Sequence, residues 1–231
     1  MLVAMAKVLV PLPDRDFDVT EVAVPWKLLV EAGHDVVFGK LGARPEAIAF
    51  YRELERDPAF LSPVPWAACD AMLIDALFLA GGHAPGMKQY LGSAALHAQI
   101  AAFWATGRPV GAICHGVLVL ARAQDPATGV SVLAGATTTC LPKYMERSAY
   151  LLTFWKLGRY YRTYPAYVED EVKAALADPE TQFVRGPRTM TKRGTADDDS
   201  PAFVVEDGRY VSARWPGDAY KFARTFLSRL R

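Results

Sequence analysis

This chain of 231 residues contains few cysteines, and its positive and negative charges nearly balance. It has three cysteines and no C-x-x-C pair, which argues against a disulfide scaffold. Lys and Arg number 26 against 25 Asp and Glu, so the net charge of +1 offers little attraction to nucleic acid. No uncharged run is long enough to span a membrane. We therefore expect a soluble cytoplasmic protein without nucleic-acid or membrane partners.

Histidine is also scarce, with four residues in the chain. His34 and His97 have no partner at the spacing of metal ligands, so we assign no metal site. Cys69 and Cys140 are most simply read as small core residues.

Hydrophobic residues are plentiful, at 52% of the chain, and their pattern alternates between strand and helix. Residues 76–80 are apolar throughout, which is typical of a parallel sheet covered on both faces. The pattern predicts an α/β fold with a mostly parallel sheet, formed by residues 1–231 as one domain with insertions near 44–66 and 141–167. Its functional site is expected at the carboxyl ends of the strands.

The chain is organised around residues 108–121, where a β-branched apolar run ends at Cys114 and a helical pattern starts at once. A residue on such a turn is held in a strained conformation at the end of the sheet. The N-terminus of the new helix and His115 both favour the thiolate, so we predict a lowered thiol pKa and rapid alkylation of Cys114 below pH 8. The alternative is a buried cysteine that simply ends a strand.

Two further segments allow alternative interpretations. Asp18 and Glu21 have the spacing of a capping box at the start of a helix, in which Pro25 predicts a kink or a later start. Residues 142–167 interleave aromatic and basic side chains. A helix that docks its aromatic face on the core is the simpler interpretation, and a cap over a pocket is the functional one.

Taken together, these motifs resemble the ThiJ/PfpI superfamily, which shares its flavodoxin-like three-layer sandwich with class I glutamine amidotransferases. The resemblance rests on four features: the elbow at residues 112–116, the strand and loop at 75–83, Glu21 four residues before Pro25, and the hairpin at 203–209 followed by Trp215-Pro216. The segments near 44–66 and 165–172, with the His83 loop, are most similar to the heat-shock chaperone/glyoxalase III branch.

The resemblance implies a role for each candidate residue. Cys114 is the nucleophile, and Glu21 is its acidic partner. His115 needs an acid to orient it, for which Glu146 is the candidate. The backbone N–H groups of Gly82 and His83, with that of His115, would form an oxyanion hole.

Each of these roles has a structural alternative. Glu21 could only cap its helix. Glu146 could pair with Lys143 or Arg147 at the surface. The glycines at 81 and 82 could form a plain turn.

The function implied is a cysteine-dependent enzyme without cofactor that acts on small reactive carbonyls, as glyoxalase III does, and that could form a homodimer. The alternatives are a chaperone or redox sensor without turnover, or a hydrolase acting on amides or peptides. Glutamine amidotransferase activity is disfavoured, because that triad takes its histidine from far downstream of the cysteine and no histidine follows His115.

Overall fold

A computed structural model describes residues 5–13, 16–39, 49–70, 73–83, 85–162 and 164–230. They form a six-stranded sheet of β1 Lys7–Pro11, β2 Asp35–Gly39, β3 Ala76–Leu79, β4 Val110–Ile113, β5 Val204–Asp207 and β6 Tyr210–Ala213. The helices are α1 Val19–Glu31, α2 Ala49–Leu54, α3 Pro58–Leu61, α4 Met87–Leu91, α5 Ala94–Trp104, α6 Gly116–Arg122, α7 Lys143–Leu157, α8 Val168–Ala175, α9 Pro179–Gln182 and α10 Ala219–Ser228.

The strand order is β2-β1-β3-β4-β6-β5, and only the β5–β6 pair is antiparallel. The two central strands β3 and β4 pair in register from Leu77 with Val110 to Leu79 with Ala112. Their carboxyl ends therefore lie side by side, and the loops that follow both strands meet at one edge of the sheet. The predicted α/β fold with a mostly parallel sheet is confirmed.

Helices pack on both faces of this sheet. Helices α1 and α10 contact each other in one layer, and α4, α5 and α8 contact α6 in the other. Phe222 and Phe226 of α10 lie against Phe78 of β3. A Cβ on Gly111 would lie 2.9 Å from the Phe222 ring, so glycine in β4 lets α10 approach the sheet closely.

The later start that Pro25 allowed is wrong, because helix α1 runs without interruption from Val19 through Pro25. Residues 130–139 contain isolated bridges at Ser131 and Thr138. Of the segment at 44–66, residues 49–66 are described and contain α2 and α3, while 44–48 lie outside the described residues. None of the described helices has the length and apolar character needed to cross a membrane.

Candidate active site

Cys114 lies on the predicted elbow. Strand β4 ends at Ile113, α6 begins at Gly116, and Cys114 between them has a φ of 59°. A non-glycine residue with this backbone conformation is strained, and such strain is concentrated at functional sites. The Cys114 N–H donates to the Ala213 carbonyl at 3.0 Å, which fixes the elbow to β6.

The His115 ring bends back toward the sulfur. Its Nδ1 lies 3.5 Å from the Cys114 Sγ, and both side chains are buried. Burial lowers the pKa of His115 well below its usual value, and His83 and Arg122 lower it further. At neutral pH the imidazole is therefore uncharged and able to accept a proton.

Glu21 reaches the same point from α1. Asp18 caps this helix by accepting from the N–H groups of Thr20 and Glu21. The capping box remains incomplete, because the Asp18 N–H donates to the Gly81 carbonyl at 2.8 Å and is not bound by Glu21. The Glu21 Oε2 instead accepts from the Gly81 N–H at 2.9 Å, across 60 residues of sequence.

The Glu21 carboxyl is fully buried and incompletely bonded. Burial and the neighbouring Asp18 raise its pKa well above the usual value, which favours the protonated carboxyl. Its Oε1 has no hydrogen-bond partner of ordinary geometry in the described part of the chain. The Cys114 thiol lowers the pKa of the Glu21 carboxyl, and the carboxyl raises the pKa of the thiol. An orphaned buried oxygen beside a cysteine is a group available to a ligand.

The prediction of a lowered thiol pKa is wrong for this structure. Cys114 is 1% exposed, and burial raises its pKa well above the usual value, with Glu21 and Asp18 acting in the same direction. The backbone N–H of His115 opposes this shift but does not outweigh it. We therefore expect a thiol at rest, which becomes a thiolate when its proton moves to a neighbour.

Gly81 lies between the Glu21 carboxyl, the Cys114 side chain and the backbone of His115. A Cβ at this position would lie 2.6 Å from Glu21 Oε2, and 2.8 Å from both the Cys114 Cβ and the His115 backbone nitrogen. These distances are shorter than van der Waals contact, so only glycine fits between the acid and the nucleophile.

Gly81→Ala is accordingly expected to destabilise the protein by about 1–3 kcal/mol, the usual cost of overpacking. It should also push Glu21 away from Cys114. Urea unfolding measures the first effect. The matched control is Gly135→Ala, where an added Cβ meets nothing within 4 Å. Equal stabilities of the two variants would contradict the packing described here.

Gly82 and His83 follow at the end of β3, as expected. Gly82 pairs with Phe17 in an isolated bridge, which holds the loop against the segment that precedes α1. The His83 ring lies edge-on to the His115 ring, with centroids 4.5 Å apart. Burial lowers the pKa of His83 to about 4. The oxyanion hole at these N–H groups stays a prediction.

The 141–167 segment docks its aromatic side chains on the core only in part, through Tyr144 and Tyr164. Phe154 and Trp155 of α7 are exposed by 51% and 75% of their surface. Beyond α7, the Tyr161 ring lies 5.4 Å from the His83 ring and contacts the neighbouring Tyr160 ring. This arrangement favours the alternative, a cap over the site.

Glu146 has a different partner from the one expected. Its Oε2 accepts from the Val168 N–H at 3.0 Å, at the start of α8. The groups that shift the pKa of His115 are His83 and Arg122, and Glu146 is not among them. Surface pairing of Glu146 is also wrong, since the side chain is 2% exposed. Within the described residues, Glu146 joins α7 to α8 and does not orient His115.

Glu146 should make stability depend on pH. Burial raises its pKa from 4.5 to about 7, so the folded state favours the protonated carboxyl. The resulting stabilisation is complete below pH 4.5 and is lost as the pH rises through 7. Glu146→Gln keeps the acceptor for Val168 but does not titrate. Relative to this variant, the wild type should lose about 3 kcal/mol of unfolding free energy between pH 4 and 8. A difference that stays constant with pH would contradict the assignment.

Two contributors to the site were missed from the sequence. Tyr161 contacts His83 although the two residues are far apart in the sequence, and no residue spacing predicts that contact. Arg122, at the end of α6, pairs with Glu171 at 2.5 and 2.9 Å and lies 5.1 Å from the centre of the Tyr164 ring. Arg122 thereby links the elbow helix to α8 and to the cap.

Comparisons with known proteins assign the chain to a family. The family model described as ThiJ/PfpI family-like matches residues 39–187. A probable glutathione-independent glyoxalase of Schizosaccharomyces pombe is 28% identical over 66% of this chain and 60% of its own length. A deglycase of Pyrococcus abyssi is 25% identical over 93% of this chain and 94% of its own length.

Solved structures share the fold. The crystal structure of glyoxalase III from Candida albicans superimposes with a TM-score of 0.72 at 18% identity, covering 98% of each chain. At that identity the likeness concerns the fold alone, and the family match covers well over half of the sequence. The chain therefore belongs to the ThiJ/PfpI family-like proteins.

Proposed function

We propose that this protein is a cofactor-free enzyme in which Cys114 attacks small reactive carbonyls such as methylglyoxal. The observation that carries the proposal is the contact of Sγ with the neutral His115 Nδ1 at 3.5 Å, beside the orphaned Glu21 Oε1. The glyoxalase and deglycase names of two relatives support the same substrate class.

The first step is formation of the thiolate. His115 Nδ1 accepts the thiol proton, and the sulfur adds to the aldehyde carbon, forming a C–S bond and an alkoxide. The backbone N–H groups of Gly82, His83 and His115 are proposed to stabilise that negative charge. The imidazolium of His115 returns its proton to the alkoxide, which gives a hemithioacetal and neutral His115.

The second step moves hydrogen between adjacent carbons. Neutral His115 is suited to remove the proton from the former aldehyde carbon, while the protonated Glu21 Oε1 can supply one to the neighbouring carbonyl oxygen. His115 returns its proton to the second carbon while the hydroxyl on the first carbon gives its proton to the Glu21 carboxylate, so the enediol becomes a lactoyl thioester. Water hydrolyses that ester, releasing lactate and free Cys114, so the sum is methylglyoxal plus water to lactate.

A substrate screen tests this proposal. Purified protein is offered aldehydes, amides and esters without added cofactor, with Cys114→Ala as the blank. Loss of aldehydes that requires Cys114 is the expected result. Turnover restricted to amides or esters would make the protein a hydrolase, and equal rates for both proteins would end the proposal.

A chaperone or redox sensor without turnover is the second candidate. The apolar side chains exposed on α7 favour it, among them Leu152 at 71% and Trp155 at 75%. Oxidation of the Cys114 thiol by two equivalents of peroxide gives a sulfinate and water. Intact-mass spectrometry after mild peroxide, showing two added oxygens at Cys114 together with no carbonyl turnover, would support this candidate over the enzyme.

A further inference from the structure

Three residues that can ligate a metal lie close together at the elbow, although their spacing in the sequence does not match that of a metal-binding motif. One ligand atom from each of His83, Cys114 and His115 lies within 4.8 Å of the others. The topology brings them together, because the β3 and β4 carboxyl ends are adjacent and His83 follows one strand while Cys114 and His115 follow the other.

The distance between the Cys114 sulfur and the His115 Nδ1 agrees with tetrahedral zinc coordination. Zinc binds thiolate sulfur at about 2.3 Å and imidazole nitrogen at about 2.0–2.1 Å, which places the two ligand atoms about 3.6 Å apart. The Cys114 Sγ and His115 Nδ1 are 3.5 Å apart in this structure. The His83 ring lies edge-on to the His115 ring, with centroids 4.5 Å apart.

The chemistry of the pocket is also suitable. Thiolate and imidazole are both ligands that Zn²⁺ takes in proteins, and Cys114 offers the first while His83 and His115 offer the second. Metal binding displaces the thiol proton.

We propose that His83, Cys114 and His115 form a Zn²⁺ site with an open fourth position, and that zinc bound there blocks the nucleophile. Binding of the ion is independent of the proposed function. The inhibition rests on it, because zinc can stop turnover only if Cys114 is the nucleophile.

Cobalt titration tests the binding, with Co²⁺ as the spectroscopic probe and Zn²⁺ as competitor. One equivalent of Co²⁺ should give a thiolate-to-metal absorption band that Zn²⁺ removes. The band should be lost in Cys114→Ser and kept in Cys140→Ala, which alters the other fully buried cysteine. His83→Gln should weaken Zn²⁺ binding by at least about 100-fold, since even outer-sphere changes cost 10–100-fold.

A second measurement needs no variant. X-ray absorption of the zinc-loaded wild type should show one sulfur ligand at about 2.3 Å and imidazole nitrogen ligands at about 2.0–2.1 Å. Absence of a thiolate band, a band that survives in Cys114→Ser, or full-strength binding by folded His83→Gln would each overturn the site. Zinc bound by all three residues without loss of aldehyde turnover would overturn the inhibition only.

Discussion

Replacing Cys114 by alanine is expected to lower kcat/KM for methylglyoxal by at least about 10⁴-fold, the scale seen when a nucleophile that acts with its base is removed. The reason is that no C–S bond can form, and the neutral His115 and the protonated Glu21 are left with no bound substrate carbon. The measurement is cofactor-free loss of methylglyoxal, with lactate determined as product.

Cys140→Ala is the matched control for that substitution. Cys140 is as fully buried as Cys114 but lies outside the His83, Cys114 and His115 cluster. It should keep aldehyde turnover within a few-fold of the wild type. Similar losses in the two variants would mean that activity follows general packing rather than a nucleophile at the elbow.

Glu21→Gln is expected to lower turnover by about 10²–10⁴-fold, the usual contribution of general acid–base catalysis. The amide keeps the acceptor for the Gly81 N–H and nearly the same shape, but it has no transferable proton. Because burial already favours the uncharged form of Glu21, stability should change by less than about 1 kcal/mol. Steady-state kinetics and urea unfolding measure the two effects.

Asp18→Asn is the control for Glu21→Gln. Asparagine caps a helix about as well as aspartate, and this change alters the charge beside Glu21 without touching the bond to Gly81. Its turnover should fall far less than that of Glu21→Gln. Near-normal kinetics in Glu21→Gln would return Glu21 to a structural role and leave His115 as the sole base.

The elbow could be predicted because its signal is local. An apolar β-branched run, a cysteine and an immediate helical pattern specify strand, turn and helix within fourteen residues, and the φ of 59° at Cys114 follows from that sharp change of direction. The parallel sheet was predictable for a similar reason, since strands buried on both faces are apolar throughout.

Glu21 shows the limit of spacing arguments. Its distance from Asp18 is that of a capping box, and the cap on Asp18 does form. Glu21 instead bonds to Gly81 because the Asp18 N–H is bound by the carbonyl of that same loop residue. Such a tertiary contact leaves no trace in the local pattern, and only the family resemblance indicated it.

The thiol pKa and the partner of Glu146 were beyond sequence reasoning for a physical reason. The helix N-terminus that lowers a thiol pKa is local, but the burial that raises it depends on which segments cover Cys114. The partner of Glu146 depends in the same way on how α7 meets α8, which is why its assignment to His115 failed.

Rapid-quench mass spectrometry tests the central claim most directly. Wild-type protein mixed with methylglyoxal is quenched in acid within the first turnover and digested, and the peptide that contains Cys114 is analysed. The account predicts one covalently bound substrate unit on Cys114, appearing before free lactate and absent from Cys140. Lactate formed at the full rate with Cys114 unmodified throughout would contradict it.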